Sequence, residues 1–201
     1  MIRILGLMIL LAGSAVQAAD DPASVIADTT AHLSELIQDN RQHYRDDPEE
    51  LKRDVKMALL PIIDEVYSAR LVLGRNARGR DQEQIKAFAD ALATQLLDRY
   101  ATALLDYDLH ERVEILPLAG KNTERQTRVR TRVQLDSSQK APVDYVMRKT
   151  DEGWQVFDVI VEGISYVATF RSQIDQEIRE TSFDDMLERL QSGQYEVEID
   201  D

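Results

Sequence analysis

The hydrophobic period of this chain changes twice. From Ile26 to Tyr107 apolar residues recur every three or four positions. Between Val113 and Met147 they recur every second position, and from about Ile164 the longer spacing returns. A 3.6-residue period lays one face of a helix on a core, and a two-residue period lays one face of a strand on it. The order helices, strands, helices therefore confines the chain to the α+β class, with an antiparallel sheet wetted on one face.

Local stop and start signals divide each block. Asp21-Pro22 opens a first helix that runs to about Arg45, and Asp47-Pro48-Glu49-Glu50 opens a second, stopped by Pro61. A short third helix over Asp64–Leu73 is ended by Gly74. Asp81, with Gln84 three positions on, starts what the spacing predicts to be the longest helix, carried to Tyr107 by Ile85, Phe88, Leu92, Leu96, Tyr100 and Ala103. Strands are expected at Val113–Ile115, Arg128–Leu135 and Val143–Arg148. Trp154–Val161 is apolar on both faces except at Asp158, which predicts a central strand. Gly120, Asp136–Ser138 and Asp151-Glu152-Gly153 supply turns. Helices resume from Ile164 and from Ser182, the last ending at Gly193, and Tyr195–Asp201 is expected to be a loose acidic tail.

The first nineteen residues differ from the rest. A basic start at Arg3, an apolar run over Ile4–Ala12 and Val16-Gln17-Ala18 at the cleavage position predict a secretory signal peptide cut after Ala18. About ten apolar residues fall short of the roughly 30 Å of a bilayer's hydrocarbon. A buried N-terminal helix is the alternative. The 201 residues suit one domain, or two small lobes sharing a core.

Composition narrows the chemistry. The 24 Lys and Arg against 37 Asp and Glu give a net charge of −13, which repels phosphate backbones and argues against nucleic acid as a ligand. With no cysteine, disulfides, thiolate nucleophiles and Cys-bound metals are excluded; the three histidines, His32, His43 and His110, offer no pair at helix-ligand spacing. Gly163-Ile164-Ser165-Tyr166-Val167 begins like a nucleophile elbow but has Val167 where the strained turn requires a small residue, so Ser165 reads better as a helix cap. Gly74–Arg80 has the glycine spacing of a phosphate loop without its Lys and Ser/Thr. The arginines Arg70, Arg75, Arg78 and Arg80 form a basic island, read either as a solvated turn or as a contact for an anionic headgroup or acidic partner. Asp158 is expected to pair with an arginine or with backbone. The bulky residues Tyr100, Leu104, Val159, Val161, Ile164, Val167 and Phe170 fit either a solid core or an enclosed apolar cavity.

Gly153-Trp154-Gln155-Val156-Phe157-Asp158-Val159-Ile160-Val161-Glu162-Gly163-Ile164-Ser165, continuing to Phe170-Arg171, resembles the signature of the MlaC family. These are periplasmic phospholipid-binding proteins, also called toluene-tolerance auxiliary proteins. Two further blocks agree: Pro61 with Asp64 and Ala69-Arg70-Leu71-Val72-Leu73-Gly74, and Leu97 with Tyr100–Tyr107. The chain departs from the family's usual aromatic at Glu65 and from its usual Trp at Ala77. The resemblance implies an NTF2-like lobe of curved sheet and long helices plus a small helical lobe, forming one lipid-binding domain over residues 19–194. Its helical part covers about 21–107, its sheet 110–162 and its last helices 163–193. It implies a monomeric periplasmic carrier shuttling phospholipid between inner and outer membranes, with phospholipid as cargo, no cofactor and no enzymatic step. Its implied partners are an inner-membrane ABC transporter with a hexameric MCE-domain subunit and an outer-membrane lipoprotein–porin complex. On this reading the cavity is lined by Val66, Leu73, Leu96, Tyr100, Leu104, Tyr145, Met147, Val159, Val161, Ile164, Val167 and Phe170, with the arginine island at headgroup or partner. The competing readings are an NTF2-like enzyme using Asp158 or His110 and a periplasmic adaptor working through protein surfaces.

Overall fold

The computed structural model describes residues 21–106, 113–118, 122–134 and 139–198. The expected signal peptide, His110, and the turns expected at Gly120 and Asp136–Ser138 lie outside the described residues. Helix α1 spans Pro22–Asp46, with the Asp21 carboxylate accepting from the amides of Ala23 and Ser24. Asp47 ends α1 and starts α2 (Pro48–Leu59): its amide donates to the His43 carbonyl at 2.9 Å and its carboxylate accepts from the Glu50 amide at 3.1 Å. One residue thus satisfies two helix ends.

Pro61 turns the end of α2 into a 3₁₀ stretch over Leu60–Ile62. Helix α3 (Glu65–Leu73) is capped by Asp64 and ended by Gly74, whose φ of +56° lies in the region that favours glycine. Helix α4 spans Gln82–Tyr100 behind a full capping box of Asp81 and Gln84. It is shorter than the sequence predicts. Ala101–Asp106 tightens into 3₁₀, which turns Ala101 and Leu105 into the core beside Leu51 and Val55 of α2, so the 25-residue α1 is the longest helix.

Five antiparallel strands follow in sequence order: β1 (Val113–Ile115), β2 (Gln126–Gln134), β3 (Lys140–Thr150), β4 (Gly153–Val161) and β5 (Ile164–Ser165). The register aligns Val129, Tyr145 and Val159 in one row and Thr127, Met147 and Val156 in the next. Between those rows β4 bulges: Val146 faces Asp158 and Met147 faces Val156, leaving Phe157 unmatched. The extra residue overturns the simple alternation read from the sequence. Trp154 and Val156 share the inner face with Val159, packed with Ile26 of α1. Nor is β4 central, being fourth of five. Its outer edge is nonetheless covered, by β5 at one end and by a bridge from Ile63 to Val156 at the other. Phe157 meets Tyr67 of α3 edge-on at 5.2 Å. Apolar residues on both faces of β4 therefore reflect helices on both sides of it.

Helices α5 (Tyr166–Glu180) and α6 (Phe183–Gln191) pack with α3 and α4 around Leu73, Phe88, Ile174 and Met186. The residues after Gly193 are not loose up to Glu198. Val197 is buried in that helical core, its amide donates to Gln95 Oε1 at 3.2 Å, and the Glu198 amide donates to Gln173 Oε1 at 2.8 Å. Val197 thus supplies an apolar anchor between acidic residues, and side-chain hydrogen bonds from Gln95 and Gln173 complete the docking of the tail.

Candidate functional site

An apolar cavity of about 510 Å³ opens between α2, α3 and α4. Leu92, Leu96 and Tyr100 line it from successive turns of α4, and Leu104 extends the wall into the 3₁₀ stretch. Leu59, Leu60 and Ile63 face them from the end of α2, and Tyr166 contributes from α5. Room is left by alanines: Ala69, Ala89, Ala93 and Ala101 line it where larger side chains would fill the space between the helices. The volume falls within the range of about 300–1,000 Å³ common for small-molecule pockets.

Polar lining is sparse. It comprises Lys56, Glu65, Ser68 and the two tyrosine hydroxyls. The Ser68 hydroxyl is held within 2.8 Å of the Asp64 carbonyl and 3.0 Å of the Phe157 carbonyl. Lys56 reaches Asp90 at 3.7 Å. Glu65 is half-buried, and burial, then the nearby Asp90 charge, raises its carboxyl above the ordinary glutamate value against the lowering effect of Lys56 and Lys86.

Of the residues expected to line a cavity, Leu96, Tyr100 and Leu104 do so here. Leu73 and Phe170 lie within the helical core, with Val66 and Val167 packed against it. Met147 is fully buried beneath the sheet with Tyr145 and Val159 beside it, because the first turns of α1 cover that face through Ile26. Burial also raises the Tyr145 phenol. Val161 is half-buried, and Ile164, in the β4–β5 hairpin, is 53% exposed, in neither core nor this cavity. Val55, Leu59, Leu60, Ile63, Leu92 and the four alanines were missed. The available signal was the apolar stripe of α2 running on past Pro61 to Ile63.

The arginine island divides. Arg75 forms a two-pronged bridge to Asp175, with both contacts at 3.1 Å, and the Arg80 guanidinium stacks 4.1 Å above the Phe183 ring. Arg70 and Arg78 are exposed, and their guanidinium groups have no hydrogen-bond or ion-pair partner among the described residues. Ser165 caps α5, accepting from the Ala168 amide at 3.1 Å, and donates to Asp158 at 2.7 Å. Asp158 also accepts from the Val167 amide at 3.0 Å, so its partner is backbone and a serine, not an arginine. Of the histidines, His43 is an exposed partner of Glu50 at 2.7 Å and His32 is exposed on α1. Among the described residues no group of three or more His, Cys, Asp or Glu could hold a metal ion, and no helix is long and apolar enough to cross a membrane.

A five-stranded curved sheet clasped by helices that leave an apolar receptacle between them defines a ligand-binding protein of mixed helix and sheet. The MlaC protein family model matches residues 27–192, and the chain belongs to that family. It is similar to the toluene tolerance protein ttg2D of Pseudomonas putida, 27% identical over 171 residues, covering 84% of this chain and 79% of that one. It is also similar to the intermembrane phospholipid transport system binding protein MlaC of Haemophilus influenzae, 26% identical over 132 residues, covering 64% and 61% of the two chains. Its fold matches that of the phospholipid-binding protein from Ralstonia solanacearum, solved in complex with a phospholipid, with a TM-score of 0.72 at 18% identity, covering 85% of this chain and 98% of that one.

Proposed function

We propose that this protein carries phospholipid, with acyl chain in the cavity between α2, α3 and α4 and the headgroup at its mouth. The observation that carries this reading is an open-mouthed pocket walled mainly by Leu, Ile and Ala side chains, with polar groups only from Lys56, Glu65, Ser68 and two tyrosines. A diacyl lipid exposes some thirty methylenes, and at about 0.8 kcal/mol each they cannot cross water uncovered. A preformed apolar cavity removes most of that cost and needs no covalent step. The names of the two relatives and the phospholipid in the structural neighbour support the same cargo. The implied setting is the periplasm, between an inner-membrane ABC transporter with its MCE-domain hexamer and an outer-membrane lipoprotein–porin complex. Arg70 and Arg78 are offered to headgroup or partner.

Organic extraction of the purified protein followed by lipid mass spectrometry tests the cargo, with stoichiometric phospholipid expected. Ala93→Trp fills the cavity from α4 and is expected to purify folded by circular dichroism but without lipid. Ile164→Glu, at an exposed position, is expected to keep both fold and lipid. An Ala93→Trp protein that is folded and fully loaded places the acyl chains elsewhere; a lipid-free wild type rejects the carrier reading.

A further inference from the structure

Glu65 and Lys56 are the only charged side chains among those that line the cavity. The charges of one further carboxylate, Asp90, and of two ammonium groups, Lys56 and Lys86, act on Glu65. Local charge is therefore balanced on a chain whose net charge is −13. The Lys56 ammonium is already beside Asp90, at 3.7 Å, with donors to spare. Glu65 makes no hydrogen bond or salt bridge among the described residues, and the capping of α3 is done by Asp64 through the Tyr67 amide at 3.0 Å. The fold thus has no evident use for the Glu65 carboxylate. A partly desolvated carboxylate with no donor from the protein can take one from a ligand seated in the cavity.

We propose that Glu65 and Lys56 form a headgroup site for a phospholipid that carries a primary ammonium beside its phosphate, with Glu65 taking the ammonium and Lys56 the phosphate. This rests on the carrier reading above and adds a preference to it. A primary ammonium supplies the N–H donors that Glu65 lacks. A quaternary ammonium has the charge without the donors, and a glycerol headgroup has hydroxyls without the charge. The remaining polar lining does not compete, since the Ser68 hydroxyl is held by two carbonyls.

The test uses the full mature chain, delipidated and then incubated with vesicles of equimolar phosphatidylethanolamine, phosphatidylglycerol and phosphatidylcholine of identical acyl composition. Mass spectrometry of the re-isolated protein gives the bound ratios. Wild type is expected to be enriched in phosphatidylethanolamine about fivefold or more, the scale of one charge-assisted hydrogen bond. Glu65→Gln keeps the shape and removes a desolvated charge; its ratios are expected to return to about one with total bound lipid unchanged. Lys56→Met is expected to lower uptake of all three lipids together. Equal ratios in wild type, or undiminished enrichment in Glu65→Gln, overturn the headgroup site while leaving the carrier intact. A wild type that takes up no lipid from any vesicle overturns the carrier reading and the headgroup site with it.

Discussion

Tyr44 shows what a single polar atom does in an apolar setting. It is fully buried between α1 and α2, with its hydroxyl donating to Asp54 at 2.8 Å. Burial first, then that hydrogen bond, pushes the phenol from 10.0 up to about 12. A raised folded value means that the neutral form is the one the fold holds. Its contribution is therefore complete below pH 10 and is lost as pH climbs through about 12. Tyr195, also pushed to about 12 by burial, adds to the same window. Urea midpoints measured from pH 8 to 12 are expected to fall above pH 10. Tyr44→Phe is expected to start about 1 kcal/mol lower through the lost hydrogen bond and to fall less steeply, with the shares of Tyr195, Tyr145 and Lys52 remaining. A slope identical to wild type contradicts the assignment.

At the scale of the element, α3 is the piece on which the site turns, since it carries Glu65, Ser68 and Ala69 into the cavity. Its start is fixed by Asp64, whose one oxygen accepts from the Tyr67 amide and whose other meets Arg148 from β3, the guanidinium lying 4.3 Å over the Tyr67 ring. A helix of nine residues has little stability of its own, so this anchor holds it against the sheet. Asp64→Ala removes both the cap and the charge partner and is expected to cost about 2 kcal/mol. Asp64→Asn keeps an acceptor for the cap and is expected to cost about half of that. Chemical denaturation measures both, and an Asp64→Ala protein as stable as wild type would show that packing alone positions α3. Most caps were legible as sequence: Asp21, Asp47, Asp81, Ser165 and Ser182 act where the spacing predicts, whereas Asp64, read as the first residue of α3, proves to be its cap. The bulge at Phe157 was not legible, because a period of two gives no sign of where one residue is inserted.

For the whole molecule, the chain end closes the helical lobe. Gln95 of α4 donates to the Leu190 carbonyl at 3.1 Å and to the Tyr195 carbonyl, and accepts from Val197, whose side chain is buried. Deleting residues 194–201 is expected to cost about 2–3 kcal/mol, the scale of one buried valine and its hydrogen bonds. Gln95→Ala is expected to cost less alone and to add little to the deletion, because both remove the same contacts. Fully additive losses in thermal or chemical unfolding would separate the two. The sequence by itself determined the α+β order, the helix starts and the strand faces, because periods and caps act within a few residues of one another. It also carried the family resemblance in three ordered blocks. Only the tertiary structure decided which apolar residues are core and which are cavity. Leu73 and Leu96 are the same residue type on neighbouring helices, yet one is packed solid and the other faces open space. Burial free energy depends on area removed from water and is blind to sequence position. A void arises from where alanines on α3 and α4 come to face each other, and that is fixed only when the helices have docked.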